Sequence, residues 1–510
     1  MIRRLAFALL GIAGLSLALR IAPYQVDDAY IAYRYAANLA AGLGWVFNPG
    51  GAAVEGFTSP FWMLVLAGLA RMASPDTLPS AGMVMGLLSF LALLVLLARG
   101  AGRAAPLAVA LCALHASPIF YSVSGLETVF FMVIVLAWSL AAAGAGSVPL
   151  AIAAAAAAPW VRPEAAWLPV GLAVQLLATA GTLRGGLRPP LRTMLLVLTV
   201  SCVVLVAARL AIFGQLLPNT YYAKPGQLGE GVRYLAAWLA RPQLALLLAV
   251  ALAGAVLGAP RERGYLAAAL AWMGAAVVEG GDWMPQARLL MPSIGLLALA
   301  ACGVLAPFAQ ASHRWRKLAA GGALVLAGAC VVLGAREAWR EGDRSTRSLQ
   351  SLRHEDRAVA EVLGDAGARR VAMVDVGITG FALRGLDIVD LGGLTDARIA
   401  HAPGPHLGKR MDLGYVFDER RPDLIITRVT RLPDRDSLGR MVPFPEDAAS
   451  PVELRLMRDP RMARQYAPWL LVLPGVERPQ LYGRLLWRRL DFEPRVRLPR
   501  DVLRISPQHD

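Results

Sequence analysis

Residues 26–35 read Val-Asp-Asp-Ala-Tyr-Ile-Ala-Tyr-Arg-Tyr and directly follow an apolar run at residues 5–22. Two arginines precede that run, so the positive-inside rule places its far end outside the cytoplasm. Asp27 and Asp28 then stand at the outer exit of a first membrane helix. Neighbouring carboxylates repel each other, and desolvation near a membrane adds to the cost of ionising both. The pair is either an ordinary solvated helix cap or a general base beside a positioning or metal-binding group.

The composition indicates an integral membrane protein. Of the 510 residues, 56% are hydrophobic and 17% charged, and the mean hydropathy is +0.51, whereas soluble chains of this length carry more charge. The net charge of +15 comes from Lys and Arg that lie largely between apolar runs and in the C-terminal third. This placement favours anionic lipid headgroups and a phosphate-bearing substrate over nucleic acid. All four cysteines lie in apolar runs, so neither a disulfide framework nor a metal–thiolate site is predicted.

The apolar runs predict a polytopic α-helical membrane protein with about eleven transmembrane helices. A further run at residues 57–72 is interrupted by Gly56 and Pro60, and we interpret it as a helix on the outer surface because all basic loops then face inward. The N-terminus is predicted inside, with residues 5–22 as a retained anchor rather than a cleaved signal peptide. The predicted spans are 5–22, 80–98, 104–120, 128–145, 148–160, 165–181, 193–213, 235–257, 264–279, 289–308 and 318–334.

The apolar density falls after about residue 335, which divides the chain into two predicted domains. Residues 1–334 form the membrane core, including a first loop at residues 23–79, and residues 335–510 form a C-terminal extracytoplasmic α/β domain.

Inside that C-terminal domain, residues 371–376 and 423–427 are typical of buried strands, and residues 485–487 of part of another. Residues 348–363 are predicted to be helical. The segment Gly377–Gly380 lacks the full Gly-x-Gly-x-x-Gly pattern, so it predicts a strand–turn–helix connection rather than a dinucleotide site.

Ionisable residues gather in the loops predicted to lie at one membrane face. Besides the first loop, these are Ser124–Thr128, Trp160–Glu164, Pro218–Lys224 and Glu279–Pro285, with Arg288 close behind. A transporter would show an internal hydropathy repeat and ionisable groups near the midplane. The gathering at one face therefore favours an enzyme over a transporter or a membrane scaffold.

These residues suit the transfer of a sugar from a polyprenyl phosphate. The acceptor hydroxyl needs a carboxylate as base, which Asp27 or Asp28 supplies. The departing lipid phosphate needs cations, for which Lys224 and Arg288 lie at the right depth, with Arg162 and Arg34 as further candidates. No cofactor is predicted with certainty. A divalent cation held by Asp27 or Asp28 with Asp282 stays an alternative, and no spacing typical of a structural zinc site occurs.

The motifs resemble the GT-C superfamily of polyprenyl-phosphate-dependent glycosyltransferases, and within it the branch that includes the mycobacterial terminal arabinofuranosyltransferase. The matching segments are Asp27–Tyr35, Gly44–Gly50 with Val54–Thr58, Ser124–Thr128, Arg162–Glu164, Pro218–Lys224, Gly280–Asp282 with Pro285 and Arg288, and Asp390–Asp396.

The resemblance implies an inverting transferase in which one aspartate of the pair is the base and the Lys and Arg sites hold the donor phosphate. The implied substrate-binding residues, carried over on the matching motifs, are Tyr30, Arg34, Glu55, Glu127, Glu164, Asn219, Tyr222 and Asp282.

The predicted function is transfer of a sugar, arabinofuranose by this resemblance, to a cell-envelope polysaccharide, glycolipid or protein at the outer face of the bacterial cytoplasmic membrane. Membrane lipid is the other expected partner, nucleic acid is not expected, and the sequence does not address the oligomeric state. The alternative is a GT-C transferase of a hexose or of aminoarabinose, with lipid A or a protein as acceptor. A non-catalytic transporter or scaffold is the more distant alternative.

Overall fold

The structure is a computed structural model. It describes residues 2–22, 25–180, 187–309, 313–430, 434–435, 441–442, 445–470, 483–494 and 503–504. Within these residues the α-helices are α1 (Ile2–Ile21), α2 (Asp27–Ala40), α3 (Pro60–Met72), α4 (Leu78–Ala101), α5 (Ala105–Ala113), α6 (Ala116–Val123), α7 (Thr128–Ala142), α8 (Val148–Val161), α9 (Leu168–Ala180), α10 (Pro189–Phe213), α11 (Asn219–Ala223), α12 (Leu228–Leu239), α13 (Pro242–Leu257), α14 (Pro260–Val278), α15 (Met291–Ala301), α16 (Ala306–Ala309), α17 (Arg314–Asp365), α18 (Ile378–Ala382), α19 (Ala397–Ala400), α20 (Pro451–Arg458) and α21 (Pro460–Gln465). Short 3-10 helices cover Pro75–Thr77, Gly102–Ala104, Pro163–Trp167, Arg288–Leu290, Cys302–Leu305 and Pro445–Asp447, and Tyr415–Arg420 is a π-helix.

The polytopic, mostly helical architecture is confirmed. By length and composition, four helical stretches of the described residues could cross a membrane, and α12 with α13 gives a fifth if the bent pair is one span. The four are Pro75–Ala113, Pro189–Phe213, Arg288–Ala309 and Arg314–Arg344, and shorter apolar helices cover Leu5–Ile21, Pro60–Met72, Thr128–Ala142 and Val148–Val161. The count of about eleven spans, which rests on apolar runs, stays a prediction.

Two of the predicted spans are wrong as continuous helices. The run at 235–257 is α12 and α13, bent by 87°, because Pro242 has no N–H to donate and disfavours the helical conformation of Arg241 before it. The run at 104–120 breaks between α5 and α6 at His115, whose backbone is extended and whose Nδ1 accepts the Ser117 N–H. His115 is buried, and this contact caps the start of α6.

The first loop carries two helices that pack on each other. α2 begins at the aspartate pair itself, and it buries most of its residues. α3 has 13 residues, about 20 Å at the helical rise, and this length is shorter than the hydrocarbon core of a bilayer. Its position on the membrane surface stays a prediction.

The 52-residue helix α17 links the membrane core to the C-terminal domain. It packs on α13 and α1 in the core and on α18 beyond it. The predicted domain boundary at residues 334–335 therefore falls inside one continuous helix. The C-terminal domain, meaning the described residues after Asp365, begins where this helix ends.

A mixed sheet forms the C-terminal domain, with strand order β2-β1-β3-β7-β6-β8. Strands β2, β1 and β3 are parallel, and the following pairs are antiparallel. The described strands are β1 (Arg370–Met373), β2 (Asp387–Asp390), β3 (Leu424–Val429), β4 (Asp434–Arg435), β5 (Met441–Val442), β6 (Tyr466–Leu470), β7 (Gly483–Arg489) and β8 (Leu503–Arg504). The predicted strands 371–376, 423–427 and 485–487 overlap β1, β3 and β7, although β1 already ends at Met373. α18 follows β1 as the predicted strand–turn–helix.

Candidate active site

A cavity of about 530 Å³ lies between the first loop, the ends of several membrane-core helices and the C-terminal domain. Such a volume suits a small-molecule site. Seven of the thirteen predicted site residues line it, namely Asp28, Glu127, Arg162, Glu164, Lys224, Asp282 and Arg288. The structure therefore brings together residues that are up to 260 positions apart in the sequence.

Asp28 and Lys224 face each other in this cavity. Asp28 lies in the first turn of α2, where the helix dipole favours a carboxylate. Lys224 follows the last residue of the short helix α11, and its Nζ lies 3.7 Å from Asp28 Oδ2. Both side chains keep some exposure, 21% for Asp28 and 28% for Lys224, so a substrate can reach them.

The C-terminal domain contributes His406 near this pair. Burial and then the charge of Lys224 lower the pKa of His406 to about 4, so its ring is neutral at pH 7. Its buried Nδ1 has no hydrogen-bond partner within the part of the chain that the structure describes. His406 is not among the site residues predicted from the sequence.

Arg162 is held by two carboxylates where α8 ends. Its Nη1 donates to Glu127 Oε1 at 2.7 Å and its Nε donates to Glu164 Oε2 at 2.9 Å. Burial opposes ionisation of Glu164, but the Arg162 charge outweighs it and lowers the pKa of that carboxyl. Because its planar guanidinium donates to Glu127 and Glu164 at the same time, Arg162 has a fixed orientation at the cavity wall.

Arg288 forms the second buried ion pair, with Nη2 at 2.6 Å from Asp282 Oδ2. Burial again opposes ionisation, but the charges of Arg288 and Lys224 lower the pKa of Asp282. The buried Nε of Arg288 has no hydrogen-bond partner among the described residues. A buried guanidinium with an unused donor at a cavity wall is suited to binding an anion.

Glu279 is a cavity residue that was not included in the predicted site. Its Oε1 accepts the Trp167 Nε1–H at 2.8 Å. Burial, with the charge of Glu164 next, raises the pKa of Glu279 to about 8. The sequence did hold a signal, because this carboxylate ends an apolar run directly before Gly280 and Gly281.

Three predicted site residues, none of them in the cavity lining, instead hold the first loop against the C-terminal domain. Asp27 accepts the backbone N–H groups of Gly377 at 3.1 Å and Ile378 at 2.7 Å. Arg34 is fully buried and donates to the carbonyls of Gly380, Leu383 and Leu386 from the C-terminal domain, and to that of Phe47. Tyr30 packs edge-on against Phe381.

Three more predicted site residues outside the cavity lining fix the segments around it. Glu55 forms a buried bidentate ion pair with Arg209 of α10, with Nε 2.8 Å from Oε2. Asn219 donates from Nδ2 to the carbonyls of Gly393 and Leu394, at 2.8 Å each. The ring of Tyr222 stacks on His401, and its carbonyl accepts the Lys409 ammonium at 2.7 Å. These positions orient the loop that carries Lys224.

The cavity gives no ligand set for the divalent cation considered from the sequence. In the described ranges no three His, Cys, Asp or Glu side chains lie together as a cation site would need. Asp282 is already paired with Arg288, and Asp27 faces backbone N–H groups. The divalent cation therefore stays an alternative that rests on the sequence alone.

Apolar side chains complete the cavity wall, among them Phe57, Trp62 and Leu289. At the rim Leu217 and Val278 are 39% and 57% exposed. Large exposed apolar side chains beside a polar cavity are suited to a lipid chain that enters from the bilayer. The site can thus hold an anionic head with an apolar tail.

The helical membrane core, the long first loop and the C-terminal domain together form the GT-C fold of the ArnT type. The chain is similar to ArnT from Cupriavidus metallidurans bound to undecaprenyl phosphate, with a TM-score of 0.54, 14% identity and coverage of 82% of this chain and 92% of that one. It is similar to the apo state of the same protein, with a TM-score of 0.56, 15% identity and coverage of 94% and 97%.

Sequence comparison matches only part of the chain. A family model described as a domain of unknown function (DUF8728) matches residues 345–476, which lie mainly in the C-terminal domain. No curated protein matches the chain. The arabinofuranosyltransferase branch thus stays a prediction.

Proposed function

We propose that this protein is a GT-C glycosyltransferase that moves a sugar from a polyprenyl phosphate to a hydroxyl of a cell-envelope acceptor. The observation that carries the proposal is the cavity in which Asp28 lies 3.7 Å from Lys224, with Arg162 and Arg288 in the same wall. A base and three cations stand around one space, as the reaction requires.

The reaction follows from this arrangement. The Asp28 carboxylate accepts the proton of the acceptor hydroxyl while that oxygen bonds to the anomeric carbon of the sugar. The bond from this carbon to the phosphate oxygen breaks, and its electron pair stays on the departing lipid phosphate. Lys224 and Arg288 stabilise the charge that develops there, since fixed cations in a water-poor site need no reorganisation. Attack opposite to the leaving group inverts the anomeric centre.

The rim with Leu217 and Val278 would take the polyprenyl chain. The undecaprenyl phosphate bound in the similar ArnT structure supports a lipid phosphate as the donor's carrier. We place the reaction at the outer face of a bacterial inner membrane, in a multi-pass protein.

Arabinofuranose, a hexose and aminoarabinose are all compatible with the proposal. Arabinofuranose follows from the resemblance of the sequence motifs, whereas aminoarabinose fits the ArnT-like fold at least as well. One feature of the cavity favours an amino sugar. Its described lining contains five carboxyl groups, of which Glu279 is mostly protonated at pH 7. The other four, those of Asp28, Glu127, Glu164 and Asp282, face three cationic side chains. A charged amino group would offset the remaining negative charge.

The test is a donor-turnover assay on the purified protein with decaprenyl-phosphoryl arabinofuranose, a polyprenyl-phosphoryl hexose and a polyprenyl-phosphoryl aminoarabinose, each with an envelope extract as acceptor. We expect release of polyprenyl phosphate from one donor. Asp28→Asn should lower kcat by about 10²–10⁴ because it removes the base, while undecaprenyl phosphate should still bind.

Asp27→Asn is the matched control, since the same change one residue earlier affects the contact with Gly377 and Ile378 instead. Asp27→Asn should lower the Tm and change kcat much less than Asp28→Asn does. Near-normal turnover in Asp28→Asn would remove the base from the proposal. A wild-type protein that neither binds undecaprenyl phosphate nor releases polyprenyl phosphate from any of the three donors would refute the proposal itself.

A further inference from the structure

The turn before Arg288 has an unusual backbone. Gln286 and Ala287 both have positive φ, 60° and 52°, a region that residues with a Cβ seldom adopt, and then as single residues. The turn separates the Asp282 loop from the short 3-10 helix Arg288–Leu290, so its conformation decides where the Arg288 side chain starts. Neither residue is a glycine, so surrounding contacts must hold the turn in place.

The Gln286 side chain supplies those contacts. It is 3% exposed, and it is absent from the lining of the reaction cavity. Its Oε1 accepts from Ser117 Oγ and from Arg241 Nη1, at 3.2 Å each. Its Nε2 donates to Glu341 Oε2 at 3.3 Å. One amide thus ties the turn to α6, to the α12–α13 bend and to α17.

Two tyrosines hold the backbone on either side of the turn. Tyr121 donates its hydroxyl hydrogen to the Pro285 carbonyl at 2.5 Å, and the Leu289 N–H donates to the Tyr234 hydroxyl at 3.1 Å. The segment is therefore fixed before and after Arg288. The Arg288 side chain extends from this segment into the cavity, where its Nη2 lies 2.6 Å from Asp282 Oδ2.

We propose that Gln286 is a positioning residue that holds Arg288 in place for the donor phosphate. This inference rests on the proposed function, because it assigns Gln286 to the phosphate end of that site. Only an amide fits the role, since one end must accept from a hydroxyl and a guanidinium while the other donates to a carboxylate. Gln286 touches no substrate and acts only through the turn.

The test exchanges the amide and the carboxylate. Gln286→Glu sets two carboxylates against each other and should raise the donor KM by about tenfold, the effect of one lost hydrogen bond to a charged group. It should also lower kcat, because Arg288 stabilises the departing phosphate in the proposed reaction. Glu341→Gln alone should change little, because its amide oxygen still accepts from Gln286. The double variant Gln286→Glu/Glu341→Gln restores the hydrogen bond with its direction reversed, because the amide at position 341 then donates to the carboxylate at position 286. It should return the donor KM to within about threefold of wild type.

Three further measurements complete the test. Undecaprenyl phosphate should raise the Tm of the wild type and of the double variant more than that of Gln286→Glu. If Gln286→Glu folds poorly, Gln286→Ala takes its place and should show the same rise in donor KM. A double variant no better than Gln286→Glu would overturn the inference. If the wild type shows no binding and no turnover, the proposed function fails. A cryo-EM map of Gln286→Glu then still decides the positioning role: a shifted Arg288–Asp282 pair supports it, and an unmoved pair refutes it.

Discussion

Asp27 and Asp28 are identical side chains on adjacent residues, yet they have different partners. Successive residues on a helix point about 100° apart, so α2 directs Asp28 into the cavity and Asp27 towards Gly377 and Ile378. A Cβ at Gly377 would lie 2.0 Å from the Asp27 carbonyl oxygen, which explains the glycine at this close approach. The first aspartate thus joins two parts of the chain, and the second lines the cavity.

Glu279 leads to a prediction about pH. Because burial raises its pKa to about 8, the carboxyl is mostly protonated at pH 7 and gains a negative charge as the pH rises through 8. That charge should repel the donor phosphate, so the donor KM of the wild type should rise about fivefold between pH 7 and pH 9, as expected for charges that interact at reduced dielectric. Measurement of KM across this range checks it.

Two variants serve as comparisons for that profile. Glu279→Gln removes the titration and should give a KM that stays flat over the same range. Glu230→Gln changes an exposed carboxylate paired with Arg233 and should keep the wild-type rise. An unchanged rise in Glu279→Gln would assign the titration to another group.

At the scale of elements, α2 owes its position to Arg34. This buried guanidinium donates to three carbonyls in and around α18, while burial lowers its pKa to about 9. Asn48 of the first loop forms two hydrogen bonds with the backbone of Ile388 in β2. Its Nδ2 donates to the Ile388 carbonyl at 2.8 Å, and its Oδ1 accepts the Ile388 N–H at 2.9 Å. The first loop is therefore joined to the edge strand of the C-terminal sheet.

This joint predicts the effect of Arg34→Met. The change leaves several buried carbonyls without a donor, so it should lower the free energy of unfolding by about 3 kcal/mol or more and expose the first loop to protease. Thermal melts and limited proteolysis in detergent check it.

Arg384→Met is the matched control, because Arg384 also joins the C-terminal domain to the first loop. Its Nη2 donates to Asp76 Oδ1 at 2.7 Å. Asp76 is 73% exposed, and such surface pairs contribute less than about 1 kcal/mol. Equal losses of stability in the two variants would contradict the role assigned to Arg34.

At the scale of the whole molecule, the cavity forms only where the membrane core meets the C-terminal domain. Leu394 of that domain and Asp28 of the first loop share its wall, and α17 runs unbroken from one part to the other. The site therefore depends on both parts being on the same side of the membrane.

This dependence gives a topology prediction. In a variant without Cys112, Cys202, Cys302 and Cys330, Arg99→Cys should react with a membrane-impermeant thiol reagent only from the cytoplasmic side, and Arg410→Cys only from outside. Both positions are exposed, and the positive-inside rule sets the expected sides. Labelling of Arg99→Cys from outside would show that residues 57–72 cross the membrane.

The sequence by itself determined the class of architecture. Apolar runs, strand patterns and loop charges are local signals, so they placed a helical membrane core before an α/β domain and collected Asp28, Lys224, Arg162 and Arg288 as candidates. The motif order also led to the GT-C resemblance. The ArnT-like fold agrees with the fold that this resemblance implies, whereas the arabinofuranosyltransferase branch stays a prediction. The breaks at His115 and Arg241 were missed although Pro118 and Pro242 lie close by, because long apolar runs flank both positions.

The tertiary structure alone decided which candidates share the cavity. Asp27 and Arg34 find their partners about 350 residues away, and Glu55 pairs with an arginine 154 residues away. Glu279 becomes a cavity residue only when packing buries it beside Glu164. The physical reason is that burial, ion pairing and the direction of a side chain depend on neighbours distant in sequence, whereas hydropathy and helix propensity depend on adjacent residues.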